Sequence, residues 1–531
     1  MTVIAPQSDV YLLKVPLEIN DINQLTFNNA TAQYNYFNSL PKLAVDNYTY
    51  QRKDGVIRFA GNFDDLLSYN YVMYRNDVYS SKWFYAFIDH MEYLNDNVTA
   101  ISISTDVWQT WQFDLTFKRT FVEREHVNED TIGTNTIDEG LEVGDYLINS
   151  STTIKPDKTV TDSDGNAINW ILPICFQTTE LPGDLSEAAN FYNSEYNRIF
   201  SGLYYFGCMS LTQARSIINY YDTQGKADAI ISIFLAPKEF FGGSKKVTGG
   251  GKTIYVPANS AYLSTLHDTV TITRPTTLNG YTPKNNKLFV YPYSYLYVTN
   301  NTGIDTTFRY EDFASATPKF YMAGALGQGC TTRLCPVDYK SGTAENFEYG
   351  IAGAKYPICA WASDYYTNWV TQNAVNNGLS IASGALSAGV NFSYGNYVGA
   401  ASSLLSSVGG VMAQHYQAQV HPDQARGNTN QSDILPGWER YFTVDCMSVR
   451  AEVARSIDEF FTMFGYKVNR MKVPNLTGRR NWNYVKTIGC YIDADIPQED
   501  LEMIKGMFDK GITLWHNPST FVDYSQNNDI I

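Results

Sequence analysis

Hydrophobic and polar residues alternate along the first third of the chain, which is the pattern of half-buried β-strands. The alternation is clear in residues 82–94 and again in residues 98–105. Asp96 and Asn97 stand between these two runs and predict a tight hairpin turn. Residues 107–125 continue the pattern as long predicted strands. The first third is therefore expected to be β-structure.

The middle of the chain mixes helical and strand patterns. Ser210 followed by Gln213 forms a capping box that predicts a helix start, and residues 226–237 then predict a strand. The Gly-rich and Lys-rich stretch 242–253 is expected to be a flexible loop, and residues 287–300 predict further strand structure.

Two amphipathic helices are predicted in the last hundred residues. The first covers residues 451–465 and is closed by Gly465, a residue type that favours the left-handed conformation found after helix ends. Its apolar side chains share one helical face: Val453, Ile457, Phe460, Phe461 and Phe464. The second opens at Pro497 and closes at Gly511. Each helix leads into a predicted strand, so the predicted fold class is α+β and rich in β-structure.

A long stretch without charge interrupts this ordinary pattern. The 58 residues between Asp364 and Asp423 contain no Asp, Glu, Lys or Arg. Within residues 378–413, 21 of 36 residues are Gly, Ala or Ser. The apolar remainder is Leu379, Ile381, Leu386, Val390, Phe392, Tyr394, Tyr397, Val398, Leu404, Leu405, Val408, Val411 and Met412.

Three interpretations of the charge-free stretch remain open. It can be a buried hairpin or helix pair, although little of its length is strongly apolar. It can be a low-complexity linker. It can also be a concealed, releasable segment that enters a membrane, because no charge has to be buried in lipid and the frequent small residues allow close packing and changes of shape.

Composition limits the classes of function. A chain of 531 residues with 44% apolar residues suggests two to four domains with sizeable cores. The net charge of −15 disfavours specific DNA binding but suits a wall along which DNA slides without sticking. Seven scattered cysteines indicate reduced thiols in an intracellular compartment. The sequence has no signal-peptide pattern and no unbroken apolar stretch that predicts a transmembrane helix.

Candidate catalytic and metal-binding motifs are weak. The stretch 249–253, GGGKT, resembles the end of a phosphate-binding loop, but Lys246 stands where the motif requires Gly. The stretch 162–165, DSDG, resembles the start of a calcium loop, but Pro173 occupies the position of the bidentate Glu, so a turn is the better interpretation.

The remaining Cys and His residues do not form a recognisable site either. Cys330 and Cys335 lack a second pair of ligands at zinc spacing. His126 lies among carboxylates and is expected at a solvated, charged strand end. We therefore predict no enzymatic activity, no cofactor and no metal.

Opposite charges concentrate in two distant stretches. Residues 466–490 contain six basic side chains and no acid, whereas residues 121–146 contain eight acids and one Arg. The two stretches can be independent solvated faces, or complementary edges that pair within the chain or between neighbouring subunits. The candidate contacts are Arg470, Lys472, Arg479 and Arg480 on one side and Glu123, Glu125, Asp138 and Glu139 on the other.

Several stretches together resemble the tail knob, or distal tail tube, protein of small short-tailed phages (podoviruses) that infect Gram-positive bacteria. The similarity is carried by AQYNYFNS (32–39), KWFYAFIDHMEY (82–93), DVWQTW (106–111), REHV (124–127), NTIDEGLEVGDY (135–146), KLFVYPYS (287–294), GYKVNRMKVPNL (465–476) and FDKGITLWH (508–516). Residues 147–285 match poorly.

The resemblance implies a homohexameric tube in which each subunit contributes two β-barrel or β-sandwich wall domains. The expected domains are a first wall domain (1–150), an inserted mixed α/β region on the knob exterior (151–285), the first part of a second wall domain (286–370), a hydrophobic lumen loop (371–432) and a C-terminal α+β part of the wall (433–531).

The resemblance also implies a role in DNA ejection. Hydrophobic loops would plug the lumen and, once released, penetrate the host cytoplasmic membrane, so that phage DNA passes through the lumen without specific binding. The expected partners are the lower tail tube or collar and the tail tip protein, with assembly in the host bacterial cytoplasm and final location in the virion tail. The alternatives are a receptor-binding adhesin at the tail tip and a wall-degrading tail protein.

Overall fold

The structure is a computed structural model in which the chain forms two compact units. The first combines Met1–Gly144, Tyr281–Phe289 and Ala451–Ile531, and the second combines Asp145–Gly280 and Val290–Arg450. The structure describes residues 8–170, 172–340, 347–362, 425–426 and 441–531, with gaps at 20–21, 49–54, 77–81, 184, 186–194, 197–198, 201–202, 225, 227–228, 259–263, 327–330, 357 and 360.

Strands are the commonest regular element among the described residues. Strands β1–β9 are Ser8–Leu13, Asn23–Leu25, Lys42–Tyr48, Val56–Ala60, Tyr71–Asn76, Phe84–Asn95, Val98–Thr105, Thr116–Phe117 and Thr120–Glu125. Strands β10–β18 are Tyr146–Ile154, Ile174–Thr178, Glu195–Tyr196, Ile199–Phe200, Tyr204–Cys208, Ile230–Leu235, Lys245–Gly249, Lys252–Val256 and Ser264–Thr271. Strands β19–β27 are Ser294–Thr299, Asp305–Phe308, Lys319–Gly324, Thr331–Val337, Ile351–Lys355, Ile358–Cys359, Trp361–Ala362, Ala425–Arg426 and Phe442–Val449. Strands β28–β31 are Tyr466–Lys472, Trp482–Ile488, Ile492–Asp493 and Ile512–Trp515.

α-Helices are fewer than strands among the described residues. The α-helices α1–α6 are Ala30–Ser39, Phe63–Leu66, Val107–Trp111, Leu211–Thr223, Ala451–Phe464 and Gln498–Lys510. Short 3₁₀ helices cover Lys238–Phe241, Asn286–Phe289, Tyr310–Asp312, Phe347–Tyr349 and Pro518–Thr520. The predicted β-rich α+β fold class is confirmed.

The first unit contains two main sheets. One is six-stranded in the order β3-β1-β5-β6-β7-β4, and the other is five-stranded in the order β2-β31-β29-β9-β28. In the second sheet, β31 from the C-terminal region pairs parallel with β2, which places Leu25 opposite Trp515. The C-terminal region thus completes a unit that the N-terminal residues begin.

Local sequence signals explain much of this unit. Strands β6 and β7 form the hairpin predicted around residues 96–97. Helices α5 and α6 form where their amphipathic patterns predict them, and α5 ends at Gly465, whose φ is +64°. A side chain there would clash, because an added Cβ would lie 2.2 Å from the Glu125 carbonyl oxygen.

The strands predicted across residues 107–125 are partly wrong, because the segment begins with helix α3. Asp106 caps this helix by accepting a hydrogen bond from the Gln109 backbone N–H at 3.0 Å. Trp108 and Trp111 are both buried, as helical spacing allows for residues three positions apart. The polar residue between them is buried as well, since the Gln109 side chain donates to the Leu25 carbonyl oxygen at 2.7 Å. A short helix, capped by Asp106 and held by the Gln109 hydrogen bond, therefore replaces the first part of the expected strand.

The second unit contains one extended hydrophobic core beneath three sheets. These have the orders β10-β27-β19-β20, β16-β17-β14-β11-β15-β24 and β18-β21-β22-β23. Helix α4 begins with the predicted capping box, in which the Gln213 backbone N–H donates to Ser210 Oγ at 3.3 Å. Phe176 and Phe206 stack at 5.2 Å within the core.

The flexible loop expected at residues 242–253 is instead a hairpin of β16 and β17. Gly250 and Gly251 connect the strands with φ values of +55° and +75°. Two successive positive φ values suit the tight turn whose twist matches a hairpin, so the glycines that suggested flexibility specify a fixed turn.

Candidate functional site

The charge-free stretch leaves and re-enters the second unit at a paired stem. Strand β25 pairs antiparallel with β26, placing Trp361 opposite Arg426 and Ala362 opposite Ala425. Before the stem, β24 adds to the edge of the six-stranded sheet by pairing with β15. After it, the chain enters β27, a central strand of the four-stranded sheet. The two ends of residues 363–424 are therefore held side by side.

The predicted plug residues lie outside the described residues. They are Leu379, Ile381, Leu386, Val390, Phe392, Tyr394, Tyr397, Val398, Leu404, Leu405, Val408, Val411 and Met412. Their role stays a prediction. The described residues nearest to them in the sequence are those of the paired stem.

A buried carboxyl group lies near both flanks of the stem. Glu239 is 8% exposed, and burial raises its pKa to about 7. Tyr441 is the first described residue after the gap at 427–440. Burial raises the pKa of Tyr441 well above its ordinary value, and the charge of Glu239 raises it further. The neighbouring Phe240 packs edge-on against Tyr356, just before β24, with ring centres 5.9 Å apart. The short helix that carries Glu239 and Phe240 therefore packs close to Tyr356 and Tyr441, on the two flanks of the stem.

A buried ion network fastens three segments of the first unit. Glu139 pairs with both Arg124 and Lys287, and its carboxylate is fully buried. Glu139 also accepts a hydrogen bond from the Lys467 backbone N–H at 2.9 Å. Burial lowers the pKa of Lys287, although Glu139 opposes that shift.

Asp458 holds the short segment Tyr281–Phe289 within the same unit. Its carboxylate accepts hydrogen bonds from the Tyr281 hydroxyl at 2.7 Å, the Lys284 backbone N–H at 2.7 Å and the Asn285 backbone N–H at 3.0 Å. Neither Asp458 nor Lys287 was predicted from the sequence to make these contacts. The available signal was an acid beside Ile457 on the apolar face of a predicted helix.

The expectation that His126 is solvated is wrong. His126 is 2% exposed, and burial lowers its pKa to about 3. Its Nδ1 accepts from the Tyr484 backbone N–H at 2.8 Å, and its Nε2 lies 3.1 Å from the Thr462 carbonyl oxygen, to which it donates. Both ring nitrogens of the neutral imidazole are therefore satisfied inside the unit, which suits a structural histidine.

The structure brings some of the predicted charge contacts together within one chain. Lys472 pairs with the buried carboxylate of Glu125. Glu123 pairs at 2.9 Å with Lys486, from the same basic stretch. Arg479 is 8% exposed and donates to the Asn528 carbonyl oxygen at 3.3 Å. The remaining candidates, Arg470, Arg480 and Asp138, are exposed. Their role between subunits stays a prediction.

The motif-like stretches have structural explanations. Lys252 of GGGKT donates to the Gly250 carbonyl oxygen at 3.2 Å and lies over the Tyr220 ring at 4.5 Å. Asp162 of DSDG accepts from the backbone N–H groups of Asp164 and Asn166 at 3.0 and 2.8 Å. That is a side-chain-stabilised turn.

The described residues contain no group of three or more His, Cys, Asp or Glu side chains placed to hold a metal ion. Among the helices of that same part of the chain, none is both long and apolar enough to cross a membrane.

Two protein families match parts of the chain. Residues 259–529 match the family described as the C-terminal domain of tail knob protein gp9 of Bacillus phage phi29. Residues 7–116 match the N-terminal region of caudoviral major tail proteins.

Full-length similarity supports the same relationship. The tail knob proteins gp9 of Bacillus phages phi29 and PZA are each 27% identical to this chain, with 98% of both chains covered. The solved structure of the bacteriophage C1 tail knob protein gp12 has the same fold, with a TM-score of 0.65, 14% identity and coverage of 98% of this chain and 100% of that one. Because the phi29 family match spans more than half of the 531 residues, the chain belongs to the family of phage tail knob proteins that includes gp9 of phage phi29.

Proposed function

We propose that this tail knob protein is the subunit of a homohexameric distal tail tube. In this proposal residues 363–424 plug the lumen and, when released, penetrate the host cytoplasmic membrane. The observation that carries the proposal is the paired stem, Trp361–Ala362 with Ala425–Arg426, which holds the two ends of a 58-residue charge-free run side by side.

The paired stem supports movement of the segment without unfolding of the unit. A loop whose ends are adjacent can leave one environment for another while the flanking strands keep their partners. The flanks here are β24 and β27, and both are paired within sheets of the second unit. Six copies would pool the apolar side chains that one copy presents sparsely among Gly, Ala and Ser.

The charge of the chain supports a passage for DNA. A net charge of −15 disfavours adhesion of a polyanion to the wall, since phosphate binding requires basic groups. The exposed Arg470, Arg480 and Asp138 are proposed to lie at contacts between subunits. Further proposed partners are the lower tail tube or collar and the tail tip protein. Assembly would take place in the host cytoplasm.

Mass measurement and imaging of the purified protein test whether it forms a plugged tube. Native mass spectrometry should give six copies, and averaged electron micrographs should show a ring with density across its centre. A variant with residues 376–420 replaced by a short Gly-Ser linker should keep the ring and lose the central density. A ring with an open centre in the unmodified protein would contradict the plug, and a stable monomer would contradict the tube.

A further inference from the structure

One short helix packs against both flanks of the charge-free stretch. The 3₁₀ helix Lys238–Phe241 lies between β15 and β16, and its Phe240 and Phe241 side chains are buried. Tyr356, which precedes β24, and Tyr441, which precedes β27, both pack into the hydrophobic core that contains Phe240. The two ends of the stretch are therefore held against the same support.

The upstream contact is closely packed. The Tyr356 ring stacks on Phe234 of β15 with ring centres 6.3 Å apart, and it meets Phe240 edge-on at 5.9 Å. Its hydroxyl donates to the Ala325 carbonyl oxygen at 3.2 Å. Gly324 leaves room for this arrangement, because an added Cβ would lie 3.0 Å from both Phe240 Cζ and Tyr356 Oη. Tyr356 is consequently fixed from several sides.

The downstream contact holds a strained residue. Tyr441 has a φ of +48°, in the left-handed region that glycine adopts readily and other residues seldom adopt. Burial raises the pKa of Tyr441, and the charges of Glu239 and Tyr356 raise it further, so its hydroxyl lies close to both groups. A tyrosine keeps such a backbone only where its surroundings enforce it.

The two flanks also contact each other. Phe442, the residue after Tyr441, is fully buried. An added Cβ on Gly353 of β23 would lie 3.1 Å from Phe442 Cζ, so Phe442 packs against the strand that leads to Tyr356. A displacement of one flank therefore disturbs the packing of the other.

We infer that Phe240, Tyr356 and Tyr441 form a latch that keeps the charge-free stretch from leaving until these three side chains separate. Departure of the stretch turns the chain at both flanks, and the packing of the three rings opposes that turn. The backbone strain at Tyr441 acts in the other direction, because separation of the rings lets this residue relax and disfavours its return. The latch rests on the proposed function, whose release step it regulates.

Two substitutions at Tyr441 separate the packing from the strain. Tyr441→Ala removes the ring but keeps the strain, so it should release dye from liposomes of phosphatidylglycerol and phosphatidylethanolamine about tenfold faster than the unmodified protein. Tyr441→Gly also removes the strain, so its release rate should lie between these two.

A second variant loosens the latch from its upstream side. Gly324→Ala pushes Phe240 and Tyr356 apart and should also accelerate release. Ile217→Val is the matched control, since it leaves a small cavity in the core of the same unit, on α4, which carries no latch residue. Its release rate should equal that of the unmodified protein.

Hydrogen exchange at β24 is a readout that needs no membrane. Exchange there should be faster in Tyr441→Ala than in the unmodified protein, because the latch joins both flanks. Dye release by Tyr441→Ala and Gly324→Ala at the rate of Ile217→Val would overturn the latch and leave the proposed function intact. If no protein released dye, the proposed membrane role would fail, and equal exchange at β24 in Tyr441→Ala and the unmodified protein would overturn the latch separately.

Discussion

Glu139 and Lys287 form an ion pair from which solvent is almost excluded, and they are far apart in the sequence. The side chains are 0% and 2% exposed, respectively. Lys287 belongs to the short segment Tyr281–Phe289, which joins the first unit between two long stretches of the second. The ion pair therefore acts together with the Asp458 hydrogen bonds to hold this short segment in the first unit.

Removing one member of this pair should destabilise the first unit strongly. We expect Lys287→Met to cost about 3 kcal/mol of unfolding free energy, because it leaves the buried Glu139 carboxylate with less compensation. Lys486→Met is the matched control, since its pair with Glu123 is about one-third exposed on each side and should contribute less than about 1 kcal/mol. Denaturant unfolding of both variants measures the difference, and equal costs would contradict this account.

Gly465 should tolerate a methyl group poorly. Its φ of +64° is unfavourable for other residues, and an added Cβ would meet the Glu125 backbone. We expect Gly465→Ala to cost more than about 2 kcal/mol. Gly489 has a similar φ of +67° but nothing within 4 Å of its Cβ position, so Gly489→Ala should cost only about 1 kcal/mol. Thermal unfolding measures the stability lost in each variant. If Gly465→Ala lost no more stability than Gly489→Ala, the closeness of the Glu125 backbone would have no energetic effect.

Glu239 should make the second unit less stable as pH rises. Its pKa is about 7 when folded and 4.5 ordinarily, so the folded state binds the proton more tightly. The stability that this gives is full below pH 4.5 and is lost as pH rises through about 7, by about 3 kcal/mol. Glu239→Gln should match the unmodified protein at acidic pH and exceed its melting temperature at pH 8. If the melting temperatures of the two proteins differed by the same amount at every pH in this range, the assignment would be wrong.

His126 should give the first unit the opposite dependence. Its pKa is about 3 when folded and 6.5 ordinarily, so the unfolded state binds the proton more tightly. The resulting stability is present above pH 6.5 and is lost as pH falls toward 3. His126→Gln should be less stable at neutral pH and should lose less stability than the unmodified protein between pH 6.5 and pH 4. We would abandon the prediction if both proteins lost equal amounts.

Local signals in the sequence were sufficient for several elements. The turn at Asp96 and Asn97, the capping box at Ser210 and the apolar face ending at Gly465 each depend on neighbours within a few residues, and each element forms as predicted. Helix α3 was missed although Asp106 is a favoured N-cap residue and Val107, Trp108 and Trp111 have helical spacing, because the helix is only five residues long and lies between strands.

Features that depend on partners far away in the sequence were not predicted from local signals. Glu125 pairs with Lys472, 347 positions away, and His126 accepts from Tyr484, 358 positions away. A charged run such as 123–130 looks solvated until those partners are known. The same limit applies to the stem, since the pairing of β25 with β26 joins the two ends of a stretch whose own composition gives no register.

Dye release from liposomes tests the central claim, that the charge-free segment is the membrane-active part of a tail tube. The purified protein would be compared across pH with the variant in which residues 376–420 are replaced by a short Gly-Ser linker, and with Leu404→Asp and Val408→Asp combined in the full-length chain. We predict that only the unmodified protein releases the dye. Equal release by the shortened variant, or no release by any protein that still forms rings, would contradict the claim.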